Sequence, residues 1–299
     1  MKTWKAELLY KSELILGEGP HWYAEWKKFL YVDIEDLKVG CIDPGTKIVE
    51  ERSVDKRIGT VVPATNGNLI VALQGSIEEL NFETGERKKL ADLEIDKPGN
   101  RCNDGKCDAA GRLWFGTMHV EARLNEGALY CYDGSLQKKL DGISVSNGIC
   151  WSKDNSIMYY IDSYDYDIKA YDFELRTGNI SNERVVVKIS ELNYTPDGMC
   201  IDEQGMIWVA MWGGGCVHRY DPFDGTLIGK VTVDAPNVTA CAFGGENMRQ
   251  LFITTARAGL SESDLHQYPL SGSLFIIDTG IKGAVMNPYI IGHALHLIQ

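Results

Sequence analysis

Short apolar runs recur along the chain, and six of them resemble one another. Each run is rich in β-branched and aromatic residues and follows a polar or glycine-bearing turn, as at residues 109–111 and 203–205. Runs of this composition after such turns predict hairpin-linked β-strands. The six runs are residues 28–33, 68–73, 112–117, 156–161, 206–211 and 250–255.

The spacing of these runs matches one blade of a β-propeller. Equivalent marker residues are separated by 40, 44, 45, 49 and 44 residues, a period typical of a four-stranded blade. A second series of six strands, each ending in an Asx turn, follows in register. The markers are Leu30, Ile70, Trp114, Tyr159, Trp208 and Phe252, and the second series lies at residues 39–44, 77–81, 129–133, 168–172, 217–222 and 274–278.

These two series decide the predicted fold. A β-sandwich also contains short strands and regular turns, but it does not predict a repeat in the mid-forties. No helical pattern or linker separates the repeats. We therefore predict an all-β chain that forms a six-bladed β-propeller with four-stranded antiparallel blades, as one domain over residues 1–299.

Polar residues occupy equivalent positions just upstream of four markers. Glu18, Asn103, Asn147 and Asp197 precede their markers by 12, 11, 12 and 11 residues, in segments that should form the innermost strands. Because innermost strands line the axis of a propeller, these side chains should converge there. Asn-Gly and Asp-Gly pairs also form ordinary turns, and polar residues also line water-filled pores. Two carboxylates in a narrow channel would repel each other, however, unless a cation lay between them.

A divalent cation is therefore the predicted cofactor. Carboxylate and amide oxygens suit Ca²⁺, Mg²⁺ or Mn²⁺, and Zn²⁺ is a further candidate.

Six short motifs, ordered across the blades, connect the chain to a known family. They are Leu-Gly-Glu-Gly-Pro at 16–20, Arg-Cys-Asn-Asp-Gly at 101–105, Leu-Trp-Phe-Gly-Thr-Met at 113–118, Ser-Asn-Gly at 146–148, Tyr-Ile-Asp-Ser at 160–163 and Pro-Asp-Gly-Met-Cys at 196–200. In these motifs the chain resembles the senescence marker protein, regucalcin and gluconolactonase family of six-bladed propellers.

The resemblance implies a sugar lactonase that uses one divalent metal ion. It implies that Glu18, Asn147 and Asp197 bind the metal, and that Arg101, Asn103 and Glu121 contact the sugar.

Lactone hydrolysis needs an electrophile at the carbonyl oxygen and an activated water. Asp197 is the candidate general base, since a carboxylate at the metal can reach a water and relay its proton toward the ring oxygen. Ser144 and Ser146 lie near the channel, but neither sits in a Gly-x-Ser-x-Gly elbow, so a serine nucleophile is not expected. Among the histidines, His119 is the one expected at the channel mouth.

Two other functions use the same kind of metal site. A non-catalytic calcium-binding regulatory protein of the regucalcin type would need no sugar-binding groups, so Arg101, Asn103 and Glu121 distinguish it from the lactonase. An organophosphate or aryl-ester hydrolase would need a more apolar pocket. A protein-binding propeller of the WD or kelch type is disfavoured, because the Gly-His and Trp-Asp signatures of its blades do not recur along the sequence.

Charge and composition narrow the choice of partner. The net charge of −12 repels phosphate backbones and anionic membranes, so we expect a small-molecule sugar lactone as partner, with no nucleic acid and no membrane.

Charges interrupt the N-terminus before a signal-peptide core develops, which predicts a cytoplasmic protein. The eight scattered cysteines lack zinc-like spacing and are expected to be reduced and buried. We expect a monomer or a weak homo-oligomer.

Overall fold

The computed structural model describes residues 1–190 and 193–292, which form 25 β-strands, one short α-helix and one turn of 3-10 helix. Two strands, β1 (Lys2–Lys5) and β2 (Glu7–Tyr10), precede the sequence repeat. The strands of blades one to three are β3 (Gly17–Tyr23), β4 (Lys28–Asp33), β5 (Lys38–Ile42), β6 (Val49–Ser53), β7 (Ile58–Pro63), β8 (Leu69–Leu73), β9 (Ser76–Leu80), β10 (Arg87–Asp92), β11 (Asn100–Cys107), β12 (Leu113–His119), β13 (Gly127–Tyr132) and β14 (Leu136–Ile143).

The later blades continue the same pattern. Their strands are β15 (Ser146–Trp151), β16 (Ile157–Asp162), β17 (Asp167–Glu174), β18 (Asn179–Lys188), β19 (Thr195–Ile201), β20 (Ile207–Trp212), β21 (Cys216–Tyr220), β22 (Leu227–Thr232), β23 (Val238–Gly244), β24 (Gln250–Thr255) and β25 (Leu274–Asp278). A turn of 3-10 helix follows β16 at Ser163–Asp165. The α-helix, α1 (Glu262–Gln267), begins with a capping box at Ser261 and Asp264.

Six sheets, each built around four antiparallel strands, surround a central channel. The innermost strands β3, β7, β11, β15, β19 and β23 contact one another in this order, and β23 contacts β3, so the ring is closed. The predicted all-β, six-bladed propeller with four-stranded antiparallel blades is confirmed. The single-domain prediction for residues 1–299 also covers residues 191–192 and 293–299, which lie outside the described residues.

The beginning of the chain completes the last two blades. Strand β2 pairs antiparallel with β25 as the outermost strand of blade six, and β1 pairs in parallel with β22 as a fifth strand of blade five. The Trp4 indole donates to the Thr279 carbonyl at 3.1 Å and packs on the ring of Trp208, with 5.3 Å between ring centroids. Residues near both ends of the described chain thus hold the ring closed.

An aspartate after the innermost strand stabilises blades three and five. In blade five, Asp202 Oδ1 accepts from the backbone N–H groups of Gln204 and Met206, and its Oδ2 accepts from the Trp208 indole and the Arg219 guanidinium. In blade three, Asp108 likewise binds an indole, that of Trp114, at 2.7 Å. These buried carboxylates are satisfied, so their role is structural.

The eight cysteines are all free and buried, as predicted. Among residues 1–190 and 193–292, no helix has the length and apolar character needed to cross a membrane.

Candidate metal and substrate site at the channel mouth

Each innermost strand loses its regular pairing at the same place, shortly after it begins. In blades one, three, four and five, the register shifts fall between Glu18 and His21, Cys102 and Gly105, Ser146 and Ile149, and Pro196 and Met199. Such bulges often lie beside active sites, where they change the direction of a side chain. The four predicted polar positions lie at or inside these four irregularities.

Five of the six residues predicted to form the site line one cavity at this end of the channel. The cavity has a volume of about 240 Å³. These residues are 4% to 7% exposed and come from blades one, three, four and five. Apolar residues, including Leu16, Met118, Val145 and Trp212, form the rest of its wall. The five predicted residues are Glu18, Arg101, Asn103, Asn147 and Asp197.

Hydrogen bonds link three of these residues. Arg101 Nη1 donates to Asn103 Oδ1 at 2.6 Å, and Asn103 Nδ2 donates to Asn147 Oδ1 at 3.1 Å and to the Ser146 carbonyl at 2.7 Å. Asn147 Nδ2 in turn donates to Ser163 Oγ at 2.8 Å. The guanidinium and both amides are therefore held in fixed orientations across blades three and four.

The two carboxylates of the cavity are electrostatically strained. Burial, and then the nearby charge of Asp104, raises the pKa of Glu18 to about 8. Burial, followed by the charges of Glu18 and Asp104, raises the pKa of Asp197 well above its ordinary value. Arg101 offsets part of this repulsion, although burial lowers the pKa of its own guanidinium.

This electrostatic environment fits a bound cation. Buried carboxylates whose charged forms are disfavoured become favourable ligands once positive charge lies between them. Asp104 Oδ2 is also buried and accepts no hydrogen bond among the described residues, but Lys106 Nζ lies 3.5 Å away and supplies its counter-charge. The carboxylates that call for a cation are therefore those of Glu18 and Asp197.

The chemistry of the donors limits which cation fits. Across the two described ranges, no three His, Cys, Asp or Glu side chains cluster closely enough to hold a metal by themselves. A cation here would need the amide oxygen of Asn147 as well as the carboxylates of Glu18 and Asp197. An all-oxygen set suits Ca²⁺, Mg²⁺ or Mn²⁺, whereas Zn²⁺ prefers nitrogen and sulfur ligands and is the poorest match.

Two residues predicted near the mouth do not line the cavity. The side chain of Glu121 is 66% exposed and pairs with Arg123 at 2.7 Å. His119 is buried, and its Nδ1 accepts from the backbone N–H of Glu121 at 3.1 Å. In this loop it is Ala122 that reaches the cavity wall. Contact of Glu121 with a sugar stays a prediction.

Two residues near the site were not assigned a role from the sequence. Asp104 follows Asn103 in the motif at 101–105, and Ser163 ends the motif at 160–163. Both motifs were visible, but their spacing to the marker residues did not single out these two positions. Only the hydrogen bonds of the folded chain assign Ser163 to the cavity wall, and Asp104 is linked to the site only by its charge, which raises the pKa of Glu18 and of Asp197.

Glycines allow the blades to approach closely beneath the site. A Cβ added at Gly148 would lie 2.5 Å from Met199 Cγ, and one added at Gly198 would lie 2.5 Å from Ala240 Cβ. These glycines directly follow Asn147 and Asp197. The close approach of adjacent innermost strands therefore requires glycine there.

A second cavity of about 240 Å³ lies at the other end of the channel. Residues 284–287 form part of its wall, and its inner surface carries His21, Lys106, Cys150 and Cys200. Burial lowers the pKa of His21 to about 3, so this imidazole is neutral. We place the functional site in the first cavity, because that cavity contains the paired carboxylates and the ordered amides.

Comparison with known proteins shows the family to which the chain belongs. Residues 16–257 match the family model described as SMP-30/Gluconolactonase/LRE-like region. The chain belongs to this family. It is 38% identical to regucalcin of Xenopus laevis over 291 residues, which cover 95% of this chain and 97% of that protein.

Two solved structures extend the likeness to the fold. A calcium-binding protein, regucalcin, from Agrobacterium tumefaciens is 27% identical and superposes with a TM-score of 0.93, covering 97% of this chain and 99% of its own. A luciferin-regenerating enzyme is 30% identical, with a TM-score of 0.89 and coverage of 96% and 100%. Both of these structures thus match this chain over the complete ring.

Proposed function

We propose that this protein hydrolyses a sugar lactone, an aldonolactone such as gluconolactone, to the aldonic acid, with one divalent cation held by Glu18, Asn147 and Asp197. The observation that carries the proposal is the single cavity in which two strained carboxylates face an ordered arginine and two amides. The gluconolactonase in the family description supports the lactone, and the calcium-binding relative from Agrobacterium supports Ca²⁺ as the cation.

The residues of the cavity divide the chemistry between them. A cation bound by the three oxygen ligands would polarise the carbonyl oxygen of the lactone and stabilise negative charge on it. Asp197 would accept a proton from the water that attacks the carbonyl carbon. As the C–O bond of the ring breaks, Asp197 would return this proton to the departing ring oxygen. With the cation in place the Asp197 carboxylate would be ionised and able to accept this proton, because positive charge offsets the repulsion that raises its pKa in the metal-free chain.

Arg101 and Asn103 would bind the hydroxyl groups of the sugar. Both line the same cavity as Asp197, and the hydrogen bond between them fixes their orientation. Fixed donors and acceptors favour a polyhydroxylated ring over an apolar acyl chain, because an apolar substrate would leave them unpaired. Glu121 could join them only if its loop moved, since it now pairs with Arg123 in solvent.

A panel of lactones tests the proposal. The full chain, stripped of metal with a chelator, should be assayed for hydrolysis of several aldonolactones after each of Ca²⁺, Mg²⁺, Mn²⁺ and Zn²⁺ is added back. We expect activity with at least one aldonolactone and none without metal. Efficient hydrolysis of paraoxon or phenyl acetate, with no turnover of aldonolactones, would favour the organophosphate or aryl-ester hydrolase instead.

A second candidate is a calcium-binding regulatory protein of the regucalcin type, because the curated relative is named regucalcin. Tight calcium binding without turnover of any ester would favour it. Arg101 and Asn103 argue for the enzyme, since calcium storage requires neither.

We also propose that the protein acts in the cytoplasm as a monomer or weak homo-oligomer, without nucleic acid or membrane partners. The net charge of −12 supports the exclusion of both polyanions. Sedimentation at several protein concentrations measures the oligomeric state, and a stable higher oligomer would contradict the proposal.

A further inference from the structure

Residues 160–163 lie beside the strand that carries Asn147 and form hydrogen bonds with it and with the loop before it. Tyr160 lies within β16, Asp162 ends this strand, and Ser163 begins the turn of 3-10 helix that follows. All three residues are at least 95% buried, and their side chains form hydrogen bonds with residues 144–147. None of the three serves as metal ligand or base in the proposed reaction.

Ser163 fixes the orientation of one predicted metal ligand and the backbone beside another. Its Oγ accepts from Asn147 Nδ2 at 2.8 Å and donates to the Pro196 carbonyl at 2.7 Å. Because the amide nitrogen of Asn147 is committed to Ser163, the amide oxygen is directed away from this hydroxyl. The second bond ties blade four to the residue immediately before Asp197.

Asp162 holds the loop that precedes Asn147. Its Oδ2 accepts from the Ser144 N–H at 2.7 Å, and its Oδ1 accepts from the Val145 N–H at 2.9 Å. Tyr160 completes the arrangement, since its hydroxyl bonds to Ser146 Oγ at 2.6 Å. Hydrogen bonds to backbone and side chain thus fix the segment on the N-terminal side of Asn147.

An aspartate at the position equivalent to Asp162 occurs in one other blade. In blade one, Asp33 accepts from the N–H groups of Ile15 and Leu16, at 2.8 and 3.0 Å. Asp33 pairs in register with Gly17, the residue before Glu18, just as Asp162 pairs with Ser146, the residue before Asn147.

The remaining blades differ at this register position. The corresponding partners are Leu73, Thr117, Met211 and Thr255 in blades two, three, five and six. The carboxylate is therefore confined to the two blades that deliver Glu18 and Asn147.

We infer that Asp162 and Ser163 are positioning residues for the metal site: Asp162 fixes the loop before Asn147, and Ser163 orients the Asn147 amide and the backbone at Asp197. The inference rests on the proposed metal site. Groups that hold metal ligands in place typically contribute 10- to 100-fold to metal affinity. The effect should therefore appear in calcium binding itself and not only in turnover.

Paired substitutions at the two ends of blade four test the inference. Ser163→Ala and Asp162→Asn alter the end of blade four that lies at the proposed metal site, here called the site end. Ser152→Ala and Asp154→Asn alter the turn between β15 and β16 at the opposite end, where Ser152 Oγ donates to Asp154 Oδ1 at 2.6 Å. Calcium affinity is measured by titration calorimetry on the full chain, and thermal unfolding confirms that each variant is folded.

We expect Ser163→Ala and Asp162→Asn to weaken calcium binding at least about tenfold, and the two controls to stay within about twofold of the unmodified protein. Two folded site-end variants with unmodified affinity would overturn the inference while leaving the proposed function intact. Equal losses in the control variants would also overturn it, because the effect would then be general. An unmodified protein that binds no divalent cation would overturn the proposed function, and the inference with it. If Ser163→Ala fails to fold, Asp162→Asn alone decides between these outcomes.

Discussion

The metal-free protein should lose stability as the pH rises, and Glu18 should be a main cause. In the folded chain the pKa of Glu18 is about 8, against an ordinary value of 4.5. Below pH 4.5 both the folded and the unfolded chain hold this proton, and the stabilisation from the raised pKa is fully present. Between pH 4.5 and about 8 the unfolded chain gives up the proton while the folded chain keeps it, so the free energy of unfolding falls.

The size of the loss follows from the pKa. Each pH unit in this window costs about 1.4 kcal/mol, so the loss between pH 4.5 and pH 7 is about 3 kcal/mol. The raised pKa of Asp197 acts in the same direction. In a protein of this size, a loss of about 3 kcal/mol lowers Tm by on the order of 6 °C.

Thermal unfolding with excess chelator at pH 5, 6, 7 and 8 measures the effect, with Glu18→Gln as the comparison. Glutamine carries no titrating proton, so the variant should show a flatter dependence of Tm on pH. Saturating calcium should reverse the trend in the unmodified protein, because metal binding displaces the protons and strengthens as they leave. Parallel curves for the two proteins without metal would refute the reasoning, since Glu18 would then hold no proton at neutral pH.

Four further outcomes are expected. Asp202→Ala leaves Arg219 without its buried counter-charge and should lower the free energy of unfolding by about 3–5 kcal/mol in denaturant titration, with calcium affinity retained. Asp197→Asn keeps an oxygen ligand but removes the base, so turnover of lactone should fall by about 10²- to 10⁴-fold while calorimetry still detects calcium; unchanged turnover would exclude Asp197 as the base. Arg101→Ala should raise KM or lower kcat for aldonolactones at unaltered calcium affinity, and loss of the metal would instead make Arg101 structural. If residues 1–299 form one domain, unfolding followed by fluorescence and by circular dichroism should give coincident transitions, and two separate transitions would contradict this.

The architecture was predictable because a propeller repeats its blades in the sequence. Strands such as β12 and β20 place Trp114 and Trp208 in the fully buried core, and this common role produces the regular spacing of the markers. The convergence of Glu18 and Asp197 followed from the same symmetry, since equivalent positions in innermost strands face one axis. The sequence repeat was therefore sufficient to predict both the fold and most of the candidate site.

The repeat did not predict the irregular parts of the structure. Strands β1 and β2 are four residues long, and they pair with strands far away in the sequence, so no periodic pattern indicates them. In a regular strand Asn103 and Asp104 would point to opposite faces, but the bulge between Cys102 and Gly105 interrupts that alternation. Glu121 lies in a loop without repeat equivalents, where an ion pair with Arg123 decides the direction of the side chain.

The pairing of β2 with β25 has a consequence for how the protein is made. On the ribosome, β2 has no partner until residues 11–273 have been synthesised and Leu274–Asp278 has emerged. Until then blade six has neither of its outer strands, so β23, which lies between the blades that carry Glu18 and Asp197, is supported in its sheet by β24 alone. Blades one to five can form while the chain grows, but the cation site can be completed only after synthesis has passed blade six. A chain that stops before β25 would therefore resemble the full protein over five blades and still lack the geometry on which its proposed chemistry depends.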